Sequence, residues 1–204
     1  LHYPLRRQRQ MCIRDSYAAS PKDRGSLGFI EDDRLIVMVA AFREQKDQDT
    51  LIKSIAQLPN QYKLLLVGDG VRRQQLESLV DTLNLKNSVF FMGFRSDVYS
   101  IIKMCDIAVL SSHWEGFGLA AAESMACGVP TIASNVPGLA DVVNTGGLLF
   151  EKGNVEDLTK KILSLENPDK KKKLVLAGSE RAKKYDIKSM VNSLNEIYLQ
   201  LVNG

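Results

Sequence analysis

Six runs of strand length in this chain are apolar almost throughout: residues 35–41, 63–68, 89–93, 106–110, 129–133 and 148–150. Between them lie segments with apolar residues at helical spacing, at 47–58, 71–83, 98–105 and 119–127, and a short turn or helix at 138–143. Three further helical stretches, 154–165, 169–185 and 187–202, close the chain. A strand that is apolar on both faces needs cover on both faces, and alternating strands and helices supply it through parallel crossovers. The expected fold class is therefore α/β, a Rossmann-like parallel sheet with helices on both faces. In such a sheet ligands bind beyond the carboxyl ends of the strands, so each loop that follows a strand is a candidate for function.

Composition narrows the partners. The 204 residues, 45% of them hydrophobic, can bury a sizeable core and have the length of one domain or two. A net charge of +3 hints at nucleic acid, but its distribution removes the hint. Residues 1–30 hold six basic residues (Arg6, Arg7, Arg9, Arg14, Lys22, Arg24) against Asp15 and Asp23, which leaves 21 basic and 22 acidic residues in 31–204. No nucleic-acid partner is expected. The three cysteines, Cys12, Cys105 and Cys127, form no C-x-x-C pair and suit a reducing compartment. No apolar run reaches the roughly 18 residues of a membrane span, and the start lacks the apolar core of a signal peptide. The opening segment LHYPLRRQRQMCIRDS has no apolar periodicity. Its RQRQMCIRDS portion looks more like translated sequencing adaptor than protein, so two readings stay open: an assembly artefact, or a disordered basic tail. Residues 1–30 are accordingly set apart, as a disordered or artefactual segment, from a domain over 31–204.

The most informative loop follows the fourth apolar run. SSHWEGFGLAAAESMACGVP, from Ser111 to Pro130, places Glu115 and Glu123 eight positions apart across a glycine-bearing turn that leads into a helix. The first N–H groups of that helix, near Gly118, Leu119 and Ala120, lack intrahelical partners and carry the positive end of the dipole. Gly116 and Gly118 would let a ligand approach the backbone closely. Carboxylates flanking an anion site suit a ligand that also carries hydroxyls, as a sugar nucleotide does. Two surface acids at a helix start are the plainer alternative.

EGFGLAAAE followed by SMACGVPTIAS resembles the donor-binding signature of retaining glycosyltransferases of family four, which have the GT-B fold. FREQKD at 42–47, LLLVGDG at 64–70, VFFMGF at 89–94 and NVPGLADVV at 135–143 occur in the family's order, so the resemblance extends from about Arg34 to the chain end. It implies the carboxy-terminal, donor-binding half of such an enzyme. Glu123 matches the residue that accepts both vicinal ribose hydroxyls, and Glu115 the residue beside the donor sugar, as nucleophile, charge stabiliser or positioning group. Lys46 matches the phosphate-binding lysine, so Glu115 and Lys46 are the expected catalytic residues. The arginine usual five positions earlier is absent, since position 41 is alanine; Arg43 is a neighbouring substitute or a solvated charge. Gly68 lies in a loop bordering the donor, or serves only a tight turn. Phe91 and Gly93 match a segment whose backbone reads the nucleobase, while Phe90 is expected in the core. Gly116, Phe117, Gly118 and Leu119 would line the donor, and Gly138 would complete the pocket. His113, beside Trp114, is expected to be structural.

The function implied is metal-independent transfer of a hexosyl group from a nucleoside-diphosphate sugar, with retention, and with no cofactor. The acceptor, a glycan or lipid-linked glycan, would be held by an amino-terminal domain outside this chain. Alternatives are a non-catalytic sugar-nucleotide-binding module, or an epimerase or phosphorylase on the same fold. The expected location is cytoplasmic, or at the inner face of the membrane through contacts such as the Lys170 to Lys173 run, which reads otherwise as a solvated helix start. The apolar end of the final helix is expected to need a partner.

Overall fold

All six apolar runs form strands in the computed structural model, which describes residues 13–186 together with 191, 198 and 199. They are β1 (Arg34–Val39), β2 (Tyr62–Val67), β3 (Val89–Gly93), β4 (Ile107–Leu110), β5 (Thr131–Ser134) and β6 (Leu148–Phe150). The sheet is parallel throughout, in the order β3-β2-β1-β4-β5-β6. The winding direction reverses between β1 and β4, which opens a crevice at their carboxyl ends.

Period-two alternation sorts the strand residues onto two faces. Ile36, Met38, Leu64, Leu66, Ile107 and Val109 pack with α2 (Gln48–Ile55), α3 (Arg73–Thr82) and α7 (Val155–Leu163). Leu35, Val37, Leu65, Val67 and Ala108 pack with α4 (Val98–Met104). Leu110 and Ala133 extend that second face to α5 (Leu119–Ala126), α6 (Leu139–Val143) and Ala182 of α8 (Pro168–Lys183). The helices contribute stripes at i, i+4 spacing, such as Leu51 and Ile55, Leu76 and Val80, and Leu158 and Ile162, all buried. Each such side chain contributes about 1.5–3 kcal/mol by leaving water.

Several expectations shift. β1 stops at Val39 rather than at 41, and β5 begins at Thr131, two residues late. α2 is capped by Asp47, whose carboxylate accepts from Thr50 N at 3.3 Å and Thr50 Oγ1 at 2.7 Å, and not by the Asp49-Thr50 pair. The expected disorder of residues 1–30 does not hold for 16–30. Lys22 pairs with Asp97 at 2.7 Å, and Arg24 bonds the Met104 and Asp33 carbonyls and the Asp106 carboxylate at 3.0–3.1 Å. Phe29 meets Phe90 edge to face at 5.0 Å, and Phe90, expected in the core, is half-buried against the apolar cluster on that face of the sheet. α1 (Ile13–Ala18) lies against α5, with the Cys127 thiol 3.7 Å from the Ser16 carbonyl. The start of α8 is only partly a solvated lysine run, because Lys171 reaches Asp106 at 3.1 Å. Residues 1–12 and most of the expected helix over 187–202 lie outside the described residues.

Candidate active site

The loops after β1 and β4 meet in the crevice, and short backbone links lock them together. The Ser111 hydroxyl, directly after β4, donates to the carbonyls of Asp47 at 2.7 Å and Lys46 at 3.1 Å. His113 N donates to the Gln45 carbonyl at 2.8 Å, and Gln45 Nε2 returns a bond to the Trp114 carbonyl at 2.8 Å. Ser134, ending β5, donates to the Ser112 carbonyl at 2.5 Å. Asp47 is held at a φ of 47° by these contacts and its capping role. The frame brings Lys46 Nζ onto the Glu115 carboxylate as an ion pair, both side chains about four-fifths buried. Ser112 Oγ lies 3.4 Å from the same carboxylate oxygen. The two residues expected to be catalytic, 69 positions apart in sequence, are therefore in direct contact.

Downstream, the loop runs into α5, whose first turn no side chain caps. Gly116 and Phe117 are exposed and Gly118 is buried. Leu119 begins the helix, and Leu139 of α6 packs so closely that a Cβ on Gly118 would lie 2.4 Å from it. Gly118 thus serves helix packing as well as any ligand. Gly138 crosses beneath the loop at φ 81° and ψ −52°. An added Cβ there would stand 2.3 Å from the Glu115 carbonyl oxygen and 2.8 Å from that of Gly116. Gly138 accordingly shapes the acid-bearing loop from behind.

The loops after β2 and β3 flank this centre. Gly68, at φ 134°, lies against the Ala40 carbonyl, 2.1 Å from where a Cβ would be, and donates to the Gly93 carbonyl at 2.9 Å. Its tight-turn role is thereby accounted for. Phe91 turns its ring toward the α3 side of the sheet, edge to face with Phe42 at 5.9 Å and beneath the Arg73 guanidinium at 5.7 Å. Among the described residues, Arg72 is committed to Asp49 in a bidentate pair and Arg73 to Asp69 and Glu77. Burial raises the Asp49 carboxyl, but the Arg72 guanidinium outweighs it and holds it below its ordinary value. Arg43 is exposed and forms no side-chain hydrogen bond or ion pair with the described residues.

Glu123 lies one turn into α5, only 2% exposed, and accepts from the Tyr99 hydroxyl at 3.0 Å. His113 stacks on Trp114 at 6.4 Å, with its Nδ1 3.7 Å from the Asp47 carboxylate. Gln45, Asp47, Tyr99, Ser111, Ser112 and Ser134 join the site without an expected role of their own. Two hydroxyls directly after a buried strand were a usable signal for Ser111 and Ser112; Ser134, inside its strand, and Tyr99 carried none. Among the described residues, no three His, Cys, Asp or Glu side chains cluster as a metal site would require.

Residues 19–185 match the family described as glycosyl transferases group 1. The chain belongs to that family. An uncharacterized glycosyltransferase of Methanocaldococcus jannaschii is 38% identical over 170 residues, which cover 81% of this chain and 48% of that protein. The N-acetyl-alpha-D-glucosaminyl L-malate synthase of Bacillus anthracis is 32% identical over 142 residues, 68% of this chain and 37% of its own. Anabaena HepE, solved in complex with UDP, superposes with a TM-score of 0.81 at 27% identity, covering 87% of this chain and 51% of that one. This group 1 glycosyltransferase chain thus has the Rossmann-like sheet of GT-B enzymes and spans about half the length, or less, of the curated relatives it matches. No described helix of the glycosyltransferase is long and apolar enough to cross a membrane.

Proposed function

We propose that this chain is the donor-binding half of a retaining, metal-independent hexosyltransferase that uses a nucleoside-diphosphate sugar. The observation that carries the proposal is the meeting of Lys46 and Glu115 across the strand-order reversal, beside the uncapped first turn of α5. The diphosphate would lie over the first N–H groups of α5, where the helix dipole favours an anion. Lys46 and the uncommitted Arg43 would take over the charge that develops on the departing diphosphate, the place a metal ion would otherwise fill. Arg43 would replace the arginine missing at position 41. Glu123 would accept the ribose hydroxyls, and Glu115 would position the donor sugar while the acceptor oxygen attacks from the face the diphosphate leaves. As that bond forms and the bond to the phosphate oxygen breaks, the acceptor proton passes to the departing phosphate. The UDP bound by the Anabaena neighbour supports a uridine nucleotide as the first donor to try. The acceptor, a glycan or lipid-linked glycan, would meet the donor from a part of the protein outside this chain.

Calorimetric titration with UDP, GDP, ADP and their common sugar conjugates tests the assignment. One nucleotide series should bind the wild type at least tenfold more tightly than the Glu123→Ala variant. Equally weak binding of every nucleotide to both proteins would show the site to be misplaced.

A further inference from the structure

A diol contact asks more of Glu123 than a carboxylate on the right helix. The last torsion of a glutamate is broad when nothing restrains it, yet accepting two vicinal hydroxyls needs the carboxylate plane in one orientation. Glu123 Oε1 accepts the phenolic O–H of Tyr99 at 3.0 Å, from a residue 24 positions earlier and on a different helix. Each carboxylate oxygen offers two lone-pair positions, so a single phenolic donor does not by itself use up the acceptors of the acid. Tyr99 is itself anchored. It is the second residue of α4 and packs, half-buried, against the apolar cluster on that face of the sheet. Its carbonyl lies 3.9 Å from the Cys127 thiol at the end of α5, so main chain and side chain of Tyr99 both face the helix that carries Glu123. A phenylalanine could pack in the same place but could not orient the acid.

We propose that Tyr99 is a positioning residue for ribose recognition: it holds the Glu123 carboxylate in the orientation that accepts the hydroxyls of a ribonucleoside diphosphate. The proposal rests on the ribose role given to Glu123 above. It makes the preference for ribonucleotides over deoxyribonucleotides a property of the Tyr99–Glu123 pair rather than of Glu123 alone. Because α4 follows the loop after β3, the same tyrosine also ties the nucleobase side of the crevice to the ribose side.

The test is calorimetric titration of the 204-residue chain with UDP and 2′-deoxy-UDP, using wild type, Tyr99→Phe, Glu123→Gln and the double variant. Wild type should prefer UDP by at least about tenfold, as a hydrogen bond to a charged group allows. Tyr99→Phe should cut that ratio about fivefold while changing 2′-deoxy-UDP binding less than about twofold, and the double variant should be no worse than Glu123→Gln. A Tyr99→Phe protein that keeps the wild-type ratio, while Glu123→Gln loses it, overturns the role of Tyr99 and leaves that of Glu123 standing. Equal weakening of both nucleotides makes Tyr99 merely structural and also overturns it. If wild type does not distinguish the two nucleotides, or Glu123→Gln still does, the ribose assignment fails and the proposal falls with it. Thermal melting of Tyr99→Phe close to wild type accompanies the predicted result.

Discussion

Replacing Gly138 with alanine adds one methyl group where the structure has no room for it. The new Cβ would be 2.3 Å from the Glu115 carbonyl oxygen, where ordinary contacts begin at 3.4 Å, so backbone has to move by about 1 Å. Two costs combine. Holding an alanine near φ 81° and ψ −52° costs about 1–3 kcal/mol, and the overpacking about as much again. The expected loss is about 2–6 kcal/mol, a large share of the 5–15 kcal/mol typical of a folded domain. At about 2–4 °C per kcal/mol for a chain of this size, the melting temperature should fall by about 4–24 °C. Circular dichroism melts and urea unfolding measure this directly. Gly116→Ala is the matched control, since its Cβ would meet nothing within 4 Å. It should melt close to wild type, within about 0.5 kcal/mol, while still intruding on a ligand lying over the loop. If Gly138→Ala melts within about 2 °C of wild type, the argument that Gly138 supports the acid-bearing loop is refuted.

Three further outcomes follow from individual contacts. Glu115→Gln removes the charge that occupies Lys46 in the ligand-free site; it should tighten UDP binding about threefold to tenfold while lowering transfer by the complete enzyme, and unchanged or weaker UDP binding in calorimetry would contradict the assignment of Lys46 to phosphate. Burial raises the Asp106 carboxyl, but the Leu35 N–H, Lys171 and Arg24 outweigh it and hold it below its ordinary value. Its stabilising contribution is therefore full above the unfolded carboxylate value of about 3.9 and lost as pH falls below it. Asp106→Asn should cost about 1–3 kcal/mol at pH 7, and the gap in urea unfolding should close toward pH 3. Burial pushes the Cys127 thiol up to about 12 and the Cys105 thiol well above its ordinary value. In a Cys12→Ser background neither should react with a thiol reagent at pH 8 until the chain unfolds, as read by mass spectrometry.

The sheet was legible because each strand is written as a local apolar run, and because parallel strands leave no polar face to confuse the pattern. Strand ends were less so: Ala40 and Ala41 look like continuing strand, but the chain must turn there to bring residues 42–47 into the crevice. The cap of α2 was misplaced because Asp47 adopts a left-handed backbone that its composition does not announce. Residues 16–30 looked disordered because their anchoring is polar and distant, as in the bond from Arg24 to Asp106, 82 positions on. The candidate site divides in the same way. Glu115, Glu123 and the glycine turn are contiguous in sequence and could be found there. The serine and backbone bonds that join the loops after β1 and β4, and the Tyr99 hydroxyl on Glu123, connect residues that only the fold brings together.

The donor site itself is tested most directly by a crystal structure of the chain with UDP or a UDP-sugar. The diphosphate should lie over the first turn of α5 within hydrogen-bond distance of Lys46, with Lys46 drawn away from Glu115 and the ribose on Glu123. A nucleotide bound elsewhere, for instance in the open cleft beside Thr145, Asn167 and Lys173, with the Lys46–Glu115 pair left intact, would contradict the account.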